Sequence, residues 1–189
     1  DNGQTPLLLA ISYNSNKIVK RLLKLDSIDI NLFKPNDLKT PLYVACENKY
    51  ANVVSILIND ERIDPNCHIY GTDETALIKS IKNNNKKIFD LVLNSDKIDL
   101  TAADYKNYTA LHVACYNNDL YYLKALLTKI ESYKCENVSI YLNAQTVDGF
   151  TPLHISCQKN FNHYTYEIIS FLYENDRNNI SSYLNIQTN

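Results

Sequence analysis

Thr151-Pro152-Leu153-His154-Ile155-Ser156-Cys157 is the clearest copy of a seven-residue pattern that occurs five times in this chain of 189 residues. The other copies begin at Thr5, Thr40, Thr75 and Thr109, so the spacings between successive threonines are 35, 35, 34 and 42. A nearly fixed period in this range indicates supersecondary units that stack on one another. The sequence therefore predicts a repeat array.

Each copy has the chemistry of a helix start. Threonine is a good N-cap because its hydroxyl accepts a hydrogen bond from a backbone N–H of the first turn. Proline suits the next position, since its missing N–H would have no partner there. The leucine that follows begins an apolar stripe such as Leu42, Ala45 and Cys46, and the residue three positions after it is always alanine or serine. A small residue at this position allows a neighbouring helix to approach closely.

A second helix is predicted after each of these. In the first four repeats an apolar pair begins at the thirteenth position after the threonine, and another follows four positions later, which marks one face of a helix. In the fifth repeat the pair Ile168-Ile169 begins at the seventeenth position after Thr151, so four extra residues between 161 and 166 are expected to lengthen the inter-helix turn or one of the helices. Asparagine tolerates the left-handed conformation that ends a helix. The expected turn residues, nine after each threonine, are Asn14, Asn84, Asn118 and Asn160, with Lys49 as the exception.

The pattern resembles the ankyrin repeat, whose signature is Thr-Pro-Leu-His-x-Ala at a period of about 33 residues. The resemblance covers essentially the whole chain and implies an all-α fold, an α-solenoid of helix-turn-helix pairs joined by β-hairpin loops. It implies a single domain, 1–189, with about five repeats at roughly 1–34, 35–69, 70–103, 104–145 and 146–187. Tetratricopeptide repeats have a similar period but lack the extended segment, such as Ile63-Asp64-Pro65-Asn66, that leads into the hairpin.

Both ends and both later repeats depart from a regular array. The chain opens and closes at the same phase of the repeat, and Leu7-Leu8-Leu9-Ala10-Ile11 is apolar on every side of its helix. We therefore expect an excerpt of a longer array, monomeric or weakly self-associating end to end. In the fourth repeat the second helix is expected to continue past Leu127 before a loop around 135–139, and the fifth has a shorter insert at 174–182.

Composition excludes several classes of function. Lys and Arg total 19 against 21 acidic residues, a net charge of −2 without the basic stripe of a nucleic-acid-binding protein. No apolar run approaches the roughly 20 residues of a membrane span, and the N-terminal residues lack the features of a signal peptide. An odd number of cysteines does not form a complete disulfide framework. We interpret Cys46, Cys67, Cys115, Cys135 and Cys157 as reduced, packed thiols in a cytoplasmic, reducing compartment.

No catalytic constellation is present, so we predict no enzymatic activity and no cofactor. His112 and Cys115 together with His154 and Cys157 are residue types that bind zinc. Neighbouring repeats are separated by about a helix diameter, ~10 Å, which is too far for the four side chains to share one tetrahedral ion. We therefore predict no metal site.

The resemblance implies a structural role for these histidines. Thr109 with His112, and Thr151 with His154, are expected to form hydrogen-bonded pairs that tie repeats together. The first three repeats have other residues at the histidine position, and this polar tie is expected to be missing there. Those residues are Leu8, Tyr43 and Ile78.

The resemblance also implies which positions face a partner: four, three and one before the threonine, at the hairpin tip, and seven and eight after it, at the end of the first helix. In the first three repeats these are Asp1, Asn2, Gln4, Ser12 and Tyr13, then Asn36, Asp37, Lys39, Glu47 and Asn48, then Gly71, Thr72, Glu74, Lys82 and Asn83. In repeats four and five they are more aromatic, and surface tyrosines are typical binding hot spots. The predicted partner-binding residues are Tyr105, Lys106, Tyr108, Tyr116, Val147 and Phe150. Tyr108 and Phe150 have an alternative role, which is to shield the hairpin.

The predicted function is that of a scaffold that binds a partner protein through the concave surface of hairpins and inner helices. Neither nucleic acid nor membrane insertion is expected. One alternative is a regulatory or targeting module of a larger enzyme or channel polypeptide. Another is the binding of a metal or small ligand.

Overall fold

The computed structural model describes residues 4–33, 38–69, 71–117, 119–133 and 138–189. Within these ranges the chain forms twelve α-helices, a 3-10 helix at Arg177–Asn179 and two isolated β-bridges. The helices are α1 (Pro6–Ser12), α2 (Asn16–Leu22), α3 (Pro41–Glu47), α4 (Ala51–Ile58), α5 (Ala76–Lys82), α6 (Lys86–Leu93), α7 (Ala110–Tyr116), α8 (Leu120–Ser132), α9 (Ser139–Leu142), α10 (Pro152–Gln158), α11 (Asn162–Asn175) and α12 (Ile180–Leu184). Six residues named in the predictions lie outside the described ranges: Asp1, Asn2, Asn36, Asp37, Asn118 and Cys135.

The chain divides into two compact units, Asp1–Asp99 (unit 1) and Leu100–Asn189 (unit 2). In unit 1 the first helices α1, α3 and α5 pack side by side, and the second helices α2, α4 and α6 do the same. In unit 2, α7 packs against α10 and α8 packs against α11. The all-α fold and the predicted helix pairs are confirmed.

The repeated threonines cap the first helices as predicted. In the first repeat the Thr5 hydroxyl accepts a hydrogen bond from the Leu8 N–H at 3.1 Å. The small residue near the middle of each first helix is buried, because the neighbouring first helix packs there. The other hydroxyl caps are Thr40 to the Tyr43 N–H at 3.4 Å, Thr75 to Ile78 at 3.3 Å and Thr151 to His154 at 3.3 Å.

Two positions of the repeat take the left-handed backbone conformation. The first is the predicted turn residue nine after the threonine, which confirms Asn14, Asn84 and Asn160 and includes Lys49 at φ 61°. The second, two before the threonine, closes the hairpin. Leu38 has φ 53° at this position, where Gly149 has φ 78°. A bulky side chain is costly in this region, so Leu38 and Lys49 are strained.

In the described residues, two of the hairpin loops each contain a single β-bridge: His68 pairs with Thr75, and Ala103 pairs with Thr109.

The recurring Ile-Asp-x-Asn segment has a separate role in joining repeats. The amide of Asn66 donates to the Lys97 carbonyl at 2.8 Å, and its oxygen accepts from the Asp99 N–H at 2.8 Å. Asn31 makes the same pair of bonds one repeat earlier, to Arg62 and Asp64.

The later repeats have longer second helices. The predicted continuation of α8 is confirmed, since the helix has 13 residues and buries Ile130. In the fifth repeat α11 has 14 residues and begins two positions after the turn residue Asn160, as in earlier pairs. The turn therefore keeps its usual length, and the extra residues lie in the helix. Tyr164 is buried at the thirteenth position after Thr151, where the apolar pairs begin in the other repeats.

Candidate partner-binding surface

His112 joins the fourth and fifth repeats in unit 2. Its Nε2 lies 3.0 Å from the Phe150 carbonyl oxygen, and its Nδ1 lies 2.8 Å from the Thr109 hydroxyl and 3.2 Å from the Thr109 backbone nitrogen. A carbonyl can only accept, so Nε2 carries the proton and Nδ1 accepts the Thr109 N–H. Burial lowers the pKa of His112 to about 4, although the hydrogen bond to Phe150 acts in the opposite direction. The imidazole is therefore neutral and fixed in one tautomer.

His154 repeats only half of this arrangement. Its Nδ1 lies 2.8 Å from the Thr151 hydroxyl and 3.3 Å from the Thr151 nitrogen. Within the described residues, no carbonyl of a further repeat faces its Nε2. The predicted pairing with threonine is thus present in both repeats, and the tie between repeats is made by His112.

In the second repeat the histidine tie is absent, as expected, but a different polar bond joins this repeat to the next. Tyr43, which occupies the histidine position, is buried and donates its hydroxyl hydrogen to the Glu74 carboxylate at 2.5 Å. Glu74 stands directly before Thr75, just as Phe150 stands before Thr151. The hydrogen bond from the Tyr43 phenol to the Glu74 carboxylate therefore takes the place of the hydrogen bond that the His112 imidazole makes to the Phe150 carbonyl. Leu8 and Ile78 have no polar side-chain group, so the first and third repeats have neither the histidine tie nor a side-chain hydrogen bond in its place at this position.

Glu74 is the centre of an ion-pair network in unit 1. The Lys82 ammonium lies 2.7 Å from its carboxylate and that of Lys79 lies 3.7 Å away. Burial alone would raise the pKa of Glu74, but the hydrogen bonds from Lys82 and Tyr43 and the charge of Lys79 lower it overall. Glu47 extends the network, at 2.6 Å from the Lys39 ammonium and 3.7 Å from that of Lys79. Four residues expected to face a partner therefore have internal partners: Lys39, Glu47, Glu74 and Lys82.

The corresponding surface of unit 2 is aromatic and open. Tyr105, at the fourth hairpin tip, and Tyr116, at the end of α7, are each 57% exposed, and Val147 is 58% exposed. The Val147 N–H donates to the Lys106 carbonyl at 3.0 Å, which joins the tips of the fourth and fifth hairpins. The Lys159 ammonium lies 3.8 Å from the centre of the Tyr116 ring, which brings the ends of α7 and α10 together. We call Tyr105, Lys106, Tyr116, Val147 and Lys159 the aromatic surface.

Tyr108 and Phe150 do not belong to this open surface. Both are half-buried, and each ring makes a T-shaped contact with the histidine ring of its own repeat. The Tyr108 and His112 ring centres are 5.9 Å apart, and those of Phe150 and His154 are 6.2 Å apart. These contacts favour the shielding role. Lys159 is not among the predicted partner-binding residues, although it stands eight positions after Thr151, at the end of the first helix of the fifth repeat.

The cysteines do not all pack alike. Cys46 and Cys115 are buried as predicted, and burial raises the pKa of the Cys46 thiol to about 12. Cys157 is exposed, which corrects the prediction for that residue. The reason is that α7 covers one side of α10, whereas no further first helix covers the other side in the described residues.

In those residues no group of three or more His, Cys, Asp or Glu side chains is arranged to hold a metal ion.

No helix in the described ranges is both long enough and apolar enough to cross a membrane.

Comparison with known families and proteins gave two matches. A family model described as ankyrin repeats (3 copies) matches residues 1–69 and 63–138, and a model of the single ankyrin repeat matches 148–189. No curated protein matches the chain.

Proposed function

Since the chain belongs to the ankyrin repeat family, whose members are generally protein–protein interaction modules, we propose that it binds a partner protein through the aromatic surface of unit 2. The observation that carries this proposal is the pair of tyrosines, Tyr105 and Tyr116, that remain more than half exposed at a hairpin tip and a first-helix end. Tyrosine offers a large contact area and a hydroxyl group at a small entropic cost, because few side-chain torsions have to be fixed on binding.

The charges of unit 1 support the choice of unit 2. A partner that covered Lys39, Glu47 and Lys82 would remove from water charges that are already paired within the protein. Such burial gives little net affinity. Covering the two tyrosines and Val147 instead removes apolar surface from water, which is favourable. The binding energy is therefore expected to concentrate in unit 2.

The test compares two pairs of tyrosines. The variant Tyr105→Ser with Tyr116→Ser should weaken partner binding by ~2 kcal/mol or more, because anchors of this type dominate interface energies. Tyr166 and Tyr173 on α11 are 69% and 55% exposed and provide a matched control pair. A partner is first captured from extract of the native cells and identified. Its affinity for the wild-type chain and both double variants is then measured by calorimetry.

Equal affinity of the Tyr105 and Tyr116 variant, or equal losses in both variants, would remove the aromatic surface from the interface. Thermal unfolding of each variant provides the control for folding, since substitution of exposed side chains should change stability little.

We also place the interaction in a reducing, intracellular compartment. The supporting observation is that Cys46 and Cys115 are buried, unpaired thiols.

A further inference from the structure

We propose that the segment of the partner that contacts the aromatic surface is acidic, with carboxylate side chains facing Lys106 and Lys159. This inference rests on the proposed function and adds the chemistry of the partner to it. The supporting observation is that, within the described part of the chain, two lysines without carboxylate partners stand beside the two exposed tyrosines.

Lys159 is held in place by Tyr116. A distance of 3.8 Å between the ammonium and the ring centre is well within the range of a cation–π contact. This contact positions the positive charge beside the exposed ring. A carboxylate that approaches the ammonium from the solvent side would therefore meet a charge that is already oriented, and the partner would contact the tyrosine and the lysine together.

Lys106 has a similar environment at the hairpin tip. Its ammonium lies 5.5 Å from the centre of the neighbouring Tyr105 ring, and its side chain is exposed. Across the described residues, neither Lys106 nor Lys159 forms an ion pair with a carboxylate. The hairpin tip and the helix end thus have the same combination of an exposed tyrosine and a lysine that lacks an ionic partner.

Unit 1 shows the contrasting arrangement. At its partner-facing positions, Lys39 pairs with Glu47 and Lys82 pairs with Glu74 at distances of 2.6 and 2.7 Å. The positive charges of these two lysines are therefore neutralised by carboxylates of the same protein.

At the partner-facing positions of repeats four and five, Lys106 and Lys159 stand against one carboxylate, that of Asp148 beside Val147. Asp104, directly before Tyr105, is buried, and its carboxylate accepts the backbone N–H groups of Lys106 and Tyr108, so it is not available to the Lys106 ammonium from the solvent side. At physiological salt, charges more than about 8 Å away are strongly screened, so this local charge determines which side chains bind favourably.

The test uses a displayed library of random twelve-residue peptides as the probe, selected on the purified protein. Aspartate and glutamate should be enriched in the selected peptides, with apolar residues between them to cover the tyrosines. Binding of a selected peptide should weaken by about tenfold or more in the variant Lys106→Glu with Lys159→Glu, because two attractions become repulsions. It should also weaken as salt is raised.

Lys17 and Lys20 on α2 provide the matched control, since both are exposed and charge reversal there changes the net charge by the same amount. Affinity of the control variant should stay within about twofold of the wild type.

The proposal is overturned if no peptide is selected, if the selected peptides are not acidic, or if charge reversal at Lys106 and Lys159 leaves the affinity of the peptides unchanged. Peptides that depend on Tyr105 and Tyr116 without being acidic would contradict only the acidic partner. Peptides that tolerate loss of both tyrosines would contradict the aromatic surface itself.

Discussion

Protonation of His112 should destabilise the protein as the pH falls from 7 to 5. Burial lowers the pKa of His112 to about 4 in the folded chain, whereas an unfolded histidine has a pKa near 6.5. Because the folded pKa is the lower one, the full stability is present above pH 6.5 and is lost progressively as the pH falls towards 4. The structural cause is burial, since the charged imidazolium would lose its hydration inside the protein. Protonation at Nδ1 would also end the hydrogen bond that Nδ1 accepts from the Thr109 N–H at 3.2 Å.

The magnitude follows from linkage between protonation and unfolding. At pH 5 the unfolded imidazole is almost fully protonated while the folded one is still mostly neutral, which gives a loss of about 2 kcal/mol relative to pH 8. Below pH 4 the loss approaches about 3 kcal/mol. These losses are a substantial fraction of the free energy of unfolding of a typical domain, which is about 5 to 15 kcal/mol.

The assay is urea unfolding, followed by far-ultraviolet circular dichroism at pH 8, 7, 6 and 5. His112→Gln is the control, because it removes the titrating group and keeps an amide that can reach the Phe150 carbonyl. The wild type should lose about 2 kcal/mol more than this variant between pH 8 and pH 5. Equal losses in both proteins, or an NMR titration that places the pKa of His112 above 6, would refute the reasoning.

Two further predictions concern contacts found in unit 1. Tyr43→Phe should lower the free energy of unfolding by about 2 kcal/mol, since it removes a hydrogen bond to the charged Glu74 carboxylate; a double-mutant cycle with Glu74→Gln should show coupling, and strictly additive effects would contradict the bond. Lys49→Asn should raise the free energy of unfolding by about 0.5 to 1 kcal/mol because asparagine tolerates φ 61° better. The reverse change, Asn84→Lys, should lower it similarly in urea unfolding, and no change in either variant would show that the left-handed turn is unstrained.

Features set by neighbouring residues were predictable from the sequence. Threonine followed by proline fixes a helix start locally, so the starts of α1, α3 and α10 were predicted correctly. The turn at Asn84 was also predictable, because a left-handed residue must follow at a fixed distance from the cap. The lengthening of α11 was harder to place, since a shift of four positions is about one helical turn and leaves the apolar stripe on the same face.

Features set by contacts between repeats were not predictable in the same way. The bond between Tyr43 and Glu74 joins residues 31 positions apart and appears only when two repeats stack. The exposure of Cys157, which occupies the same position as buried Cys115, depends on whether another helix covers it. The sequence predicted that both Tyr105 and Tyr108 bind a partner. The structure distinguishes them, because Tyr108 packs against His112 and is half-buried, whereas Tyr105 is exposed.

The most direct test of the proposed function is site-specific photo-crosslinking in the native cells. A photoreactive phenylalanine replaces Tyr116 in one sample and Tyr166 in another, two exposed positions on α7 and α11. Binding through the aromatic surface predicts a covalent adduct with a partner protein from position 116 and none from position 166. An adduct formed only at 166, or equal adducts at both positions, would contradict it.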